Sequence, residues 1–125
     1  MKSLVRFRDR SLHASYLALA DGRFEDKRLY RWIKKALSEL QKDAYAGLQL
    51  KKKQIPPSVV QKYQLQNLWR YDLPSGWRLL YTIGEDKVDV VALVISWMSH
   101  KEYERFLGYT VRDRAVMLAY GQESI

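Results

Sequence analysis

Few side chains in this sequence are equipped for acid–base or nucleophilic chemistry. Its 125 residues include no cysteine, which removes disulfides, thiolate zinc sites and a thiol nucleophile. The imidazoles are His13 and His100, and histidine is the side chain whose ordinary pKa lies closest to neutrality. His13 falls on a short helical stretch and reads as a surface residue, so His100 is the candidate proton carrier; its structural alternative is to cap a strand-to-helix turn. The two histidines are far apart, with no HExxH spacing and no tight acidic cluster, so metal-free and cofactor-free chemistry is the expectation. Cations dominate: 22 Lys+Arg against 14 Asp+Glu give a formal charge of +8. That balance favours a polyanion such as nucleic acid, or an acidic protein, as partner, against the bland alternative of a merely soluble basic surface.

Two arginines stand on either side of a turn. Around it the period is two, with Asn67, Trp69, Tyr71 and Leu73 on one face and Leu68, Arg70 and Asp72 on the other, which predicts a strand from Leu65. Pro74-Ser75-Gly76 makes a three-residue hairpin connection, proline at the first corner and glycine at the left-handed position, so Leu73 should face Trp77. That register sets Asp72 opposite Arg78 and Arg70 opposite Leu80, so Arg70, Asp72 and Arg78 share a face. The other face, with Trp69, Tyr71, Leu73, Trp77, Leu79, Tyr81 and Ile83, is apolar and needs cover. By spacing alone, Arg78 is equally well explained as the ion-pair partner of Asp72.

The cover is a helix. Leu29, Trp32, Ile33, Ala36, Leu37 and Leu40 recur at helical spacing while Lys34, Lys35, Glu39 and Lys42 fall elsewhere. A shorter helix precedes it, with Ser11 as N-cap, Leu12, Tyr16 and Leu19 on one stripe, and Asp21-Gly22 as its break. Residues Ser3 to Arg8 suit a first strand. Gly47 is the expected C-cap of the long helix; Lys51-Lys52-Lys53-Gln54-Ile55-Pro56-Pro57 is a basic loop, most simply solvated, with a helical turn at Ser58 to Tyr63. After the hairpin, Gly84-Glu85-Asp86-Lys87 predicts a turn and Val88 to Met98 a central strand buried on both faces. His100 to Ile125 mixes aromatic and basic residues and is expected to run in part as a helix. The expectation is one α+β domain over 1–125: an antiparallel sheet, N-terminal strand plus three-stranded meander, packed on a helix pair that leaves the other face open, with a C-terminal helical segment. No apolar stretch suits a membrane span and the N-terminus is too charged for a signal core, so a soluble, cytoplasmic protein without a membrane partner is expected.

Asn67-Leu68-Trp69-Arg70-Tyr71-Asp72-Leu73-Pro74-Ser75-Gly76-Trp77-Arg78-Leu79-Leu80-Tyr81-Thr82-Ile83 resembles the sheet hairpin of the RelE-like toxins, in the RelE/ParE superfamily of type II toxin–antitoxin systems. The likeness continues through Val94-Ile95-Ser96-Trp97-Met98-Ser99-His100-Lys101-Glu102-Tyr103, and it is specific over residues 67 to 106. The resemblance implies an endoribonuclease that cuts mRNA, often in the ribosomal decoding site, and is neutralised by a small acidic antitoxin. It implies attack of a ribose 2′-OH on its own 3′-phosphate, which needs a base, a charge clamp and an acid. By position, Arg78 matches the arginine on the scissile phosphate, Arg70 a strand lysine, and His100 the catalytic Arg-or-His. Tyr103 then orients or stacks, and Lys51, Lys52, Lys53 and Arg70 guide the RNA backbone. Asp72 departs from the pattern, since several members carry a second lysine there. Two alternatives remain: a ParE-like topoisomerase inhibitor without nuclease activity, and a non-catalytic RNA-binding or ribosome-associated protein.

Overall fold

Asp9, not Ser11, starts the first helix. Its carboxylate accepts a 2.8 Å hydrogen bond from the Leu12 amide, and that bond, with Arg8 beside it, holds the Asp9 carboxyl below its usual range. The computed structural model describes residues 2–85 and 89–108. Its elements are β1 (Leu4–Phe7), α1 (Arg10–Leu19), α2 (Phe24–Lys42), β2 (Leu48–Gln49), α3 (Pro57–Tyr63), β3 (Trp69–Asp72), β4 (Arg78–Glu85), β5 (Val90–Met98) and α4 (His100–Phe106). Tight 3-10 turns occupy Ala44–Ala46, Lys52–Gln54 and Pro74–Gly76. The class is α+β as expected. No helix among the described residues is long and apolar enough to cross a membrane.

The five strands form one sheet in the order β1-β5-β4-β3-β2. Its β3-β4-β5 meander is antiparallel, but β1 runs parallel to β5, with Leu4 beside Val91 and Phe7 beside Val94. The sheet is therefore mixed. The chain goes from β1 into the α1–α2 pair on one face and enters the meander from the far edge, so β1 closes on the last strand and not on its sequence neighbour.

The α1/α2 face holds the larger core. Leu29, Ile33, Ala36 and Leu40 of α2 are buried with Leu79, Tyr81 and Ile83 of β4, while Trp32, Leu37, Trp69 and Tyr71 pack around them half-buried. The two apolar stripes do cover each other. Asp43, not Gly47, ends α2. Gly47 instead sits where any Cβ would collide with the Arg70 carbonyl oxygen and the Tyr81 hydroxyl. Its amide donates to that hydroxyl at 3.0 Å, and the hydroxyl donates to the Ala44 carbonyl at 2.8 Å, so glycine here permits close approach.

The other sheet face is not open along its length. Leu50, Ile55, Val59, Leu65, Leu68, Leu80, Ile95, Met98 and Tyr103 form a second core beneath α3 and α4. Leu65 and Leu68 precede β3 and belong to this core, which is why the strand starts at Trp69 and not at Leu65. Gly84 and Glu85 continue β4 and are not a turn; the rest of that expected turn, residues 86–87, the expected first residue of the next strand, Val88, and the segment 109–125 lie outside the described residues.

A bulge decides which end of this face stays exposed. Leu80 pairs with Ser96 but Tyr81 with Val94, leaving Ile95 unmatched on β4. Alternation along β5 is thereby reset: Trp97 packs on the first core and Met98 on the second, opposite Arg78. From there Ser99 caps α4, accepting from the Glu102 amide while Glu102 Oε1 accepts from the Ser99 amide at 3.0 Å. The helix folds back over the face that carries Arg70 and Arg78.

Candidate functional site

The hairpin register is the one read from the turn. The Leu73 amide donates to the Trp77 carbonyl at 2.9 Å, Asp72 lies opposite Arg78 and Arg70 opposite Leu80. Ser75 and Gly76 both take positive φ, 58° and 80°, so two consecutive left-handed residues close the connection. Gly76 has a second reason to lack a side chain, because a Cβ there would stand 3.1 Å from His100 Cβ.

Arg70, Asp72, Arg78 and Tyr103 converge at the hairpin end of this face. Asp72 Oδ1 lies 3.1 Å from Arg70 Nε and 3.2 Å from Arg78 Nε. Neither Nε–H is aimed along a hydrogen bond, although both atoms are shielded from solvent, so the attraction is one of charge. Tyr103, only 6% exposed, lies beneath both guanidinium groups, its ring centre 5.6 Å from Arg70 Cζ and 5.4 Å from Arg78 Cζ. Its hydroxyl accepts from Arg70 Nη1 at 3.2 Å, which holds Arg70 still more firmly protonated. Two like charges thus share one ring and one carboxylate.

The cluster can grip an oxyanion. Arg70 spends Nη1 on Tyr103, and Arg78 spends Nη1 on the Trp77 carbonyl at 3.3 Å. Nη2 of each has no hydrogen-bond acceptor among the described residues. Asp72, with 46% of its side chain exposed, sits at the same mouth, where it occupies the charge position a phosphate would take. Tyr103 is too covered to stack a base; its geometry makes it the support that positions the arginines.

His100 stands beside the cluster at the first position of α4, exposed and against the Pro74–Gly76 turn. Ser99, not His100, is the cap. His100 Nε2 pairs with Glu104 Oε1 at 2.7 Å, a carboxylate one helical turn on that fixes the ring and leaves Nδ1 as the other proton site. Lys51, Lys52 and Lys53 are exposed but stand elsewhere: Leu50 bonds to Leu68, and Lys52 lines a cleft with Gln66 and Asn67, at the opposite end of β3 from Asp72. Glu104 went unread in the sequence, although its i,i+4 spacing from His100 was a usable signal. His13 is exposed and stacks on Phe7 at 4.8 Å. Among the described residues no three His, Cys, Asp or Glu side chains gather as a metal site.

Set against protein-family models, curated proteins and solved structures, the chain matches none of them.

Proposed function

We propose that the chain is a RelE-like toxin of a type II toxin–antitoxin system: a metal-independent endoribonuclease that cleaves mRNA, alone or on the ribosome, in the cytoplasm. The observation that carries this reading is the pair Arg70 and Arg78, held over Tyr103 with Nη2 of each meeting no acceptor among the described residues. Such a fork suits the non-bridging oxygens of one phosphodiester. The ribose 2′-oxygen attacks the adjacent phosphorus; the O2′–P bond forms and the P–O5′ bond breaks, giving a 2′,3′-cyclic phosphate and a 5′-hydroxyl. Arg78 and Arg70 neutralise charge on the phosphoryl oxygens, and His100, oriented by Glu104, exchanges a proton with the attacking or the leaving oxygen. A small acidic antitoxin is the expected protein partner.

The test is cleavage of mRNA by the purified protein, with and without ribosomes, in excess chelator, with the product ends identified. Cyclic or 3′-phosphate ends with 5′-hydroxyls support the reading; an intact message under both conditions overturns it. Asp72 on both arginines favours the ParE-like alternative, because a neutralised cluster suits protein binding better than phosphate binding. Toxicity with DNA-supercoiling defects and intact mRNA would select that alternative.

A further inference from the structure

A second cluster of cations and aromatic rings lies on the same sheet face, about four residues along β4 from Arg78. Arg78, Leu80 and Thr82 follow one another on that face, and Thr82 helps to floor a cleft of about 190 Å³ between α3, the end of β1 and the β4–β5 pair. The rim carries Arg8, Lys62 and Gln64, and the floor is apolar, with Leu65, Leu93 and Ile95. Tyr63 stands in its wall with Arg8 Cζ 5.4 Å and Lys62 Nζ 5.2 Å from the ring centre.

The donors here are uncommitted. Arg8 uses Nε on Asp9 Oδ2 at 2.9 Å, and neither of its Nη groups has an acceptor among the described residues. Lys62 has no carboxylate partner among them either. Asp9 is occupied twice, by Arg8 and by the Leu12 amide. Gln64, at the rim, holds a left-handed backbone, φ 52° and ψ 50°, at the end of α3, a conformation that a non-glycine residue rarely adopts; its own backbone amide donates to the Val60 carbonyl.

We propose that this cleft is a nucleotide subsite for the strand that the Arg70–Arg78 cluster grips. It rests on the endoribonuclease reading and adds a second contact for the same RNA. The base lies against Leu93, Ile95 and the Tyr63 ring, and the adjoining phosphate takes Arg8 Nη and Lys62 Nζ. Three features select this ligand. The volume is below the roughly 300 Å³ at which pockets begin to take drug-sized molecules, and suits one planar ring. Guanidinium planes and aromatic rings are the groups that stack unpaired bases. The span from Arg78 to Thr82 is ~13 Å at ~3.3 Å per strand residue, which about four stacked nucleotides cover at ~3.4 Å each. The two clusters also share α4: Tyr103 lies under the arginines, and Phe106, one turn later, meets Tyr63 at 6.3 Å.

Anisotropy titrations with fully 2′-O-methylated RNA, whose 2′-oxygen is blocked, separate binding from cleavage. With the wild-type protein, affinity should rise about tenfold as the oligonucleotide lengthens from two to six residues. The Arg8→Ala/Lys62→Ala double variant should lose that rise, and its salt slope should shrink by ~0.7, the single-strand value for one phosphate. Tyr63→Leu should lose the rise and keep the slope, while Arg78→Ala should keep the rise. A free mononucleotide should move the amide resonances of Gln64, Thr82 and Leu93, which tests the pocket without the strand. Cleavage by the wild type, with length dependence and salt slope unchanged in the double variant, would overturn the subsite alone; a wild type that neither binds nor cuts RNA would overturn the endoribonuclease reading with it. Shifts caused by a glutamate-rich peptide and not by a mononucleotide would assign the cleft to an acidic protein.

Discussion

Replacing Asp72 by asparagine tests the cluster most directly, because it keeps the shape and deletes the charge that a phosphate must displace. The carboxylate lies 3.1 and 3.2 Å from the two guanidinium nitrogens. A pair of unit charges at 4 Å is worth about 1 kcal/mol in water and about 4 at an effective dielectric of 20. With 46% of the Asp72 side chain exposed, solvent screening pushes the net value of each contact to the ~0–1 kcal/mol of surface ion pairs. Two such contacts give up to about 2 kcal/mol in favour of phosphate once the carboxylate is gone, about 1 kcal/mol at the middle of that range, or roughly 5-fold tighter RNA. The salt slope should steepen by ~0.7, because one further phosphate charge is left to the arginines. Stability should change by about 1 kcal/mol or less. Anisotropy with 2′-O-methyl RNA across an ionic-strength series, alongside urea unfolding, reads all three. Unchanged or weaker binding by Asp72→Asn would refute the argument that the carboxylate competes with phosphate.

Arg78→Ala and His100→Ala should each abolish cleavage or growth arrest while leaving the far-UV circular dichroism and unfolding midpoint near wild type, since neither side chain belongs to a core; full activity in both would remove the site. Leu40→Ala should cost ~2–5 kcal/mol, because Leu40 is fully buried, and Leu37→Ala, at a half-buried position, should fall toward the low end; an unmoved urea midpoint for Leu40→Ala would show that the helix face is misassigned. Tyr81→Phe should cost about 2 kcal/mol by orphaning the Ala44 carbonyl and Gly47 amide. Burial pushes the Tyr81 hydroxyl up to about 12. A raised folded-state pKa means stability that is whole below pH 10 and lost as pH rises through about 12, so the unfolding midpoint should drop across that window in the wild type and drop less in Tyr81→Phe. An equal drop in both would mean that other tyrosines carry the effect; burial also raises Tyr16 and Tyr71.

The hairpin was legible because a single turn fixes its register: Pro74, Ser75 and Gly76 admit few connections, and the strand period of two then assigns every side chain to a face. The apolar stripe of α2 was legible for the same kind of reason, a period of 3.6 sustained over many residues. What failed was non-local. Leu4 pairs with Val91, 87 positions away, and no local pattern tells a parallel edge strand from an antiparallel one. The continuous apolar run of β5 concealed the bulge, since Val94, Ile95 and Trp97 satisfy either alternation. Leu68 and Leu80 share a face with Arg70 and Arg78, so the pattern read that face as polar; α3 and α4 bury the leucines, while at the arginine end α4 supplies Tyr103 beneath the guanidinium groups.

That division explains how one sheet face can hold a core and a charged cluster at once. A bulge in β5 turns Met98 toward Arg78, α4 starts two residues later, and its first turn delivers Tyr103 beneath two guanidinium groups that would otherwise repel each other. Resemblance supplied the types of residue but not this support, and Tyr103 could be placed beside His100 only by sequence adjacency. In the structure it supports Arg70 and Arg78, while His100, against the hairpin turn, is paired with Glu104. Asp72 completes the set by drawing the two arginines together. The residue that departs from the family pattern is thus the one whose removal most sharply separates a phosphate-gripping site from a structural ion-pair network.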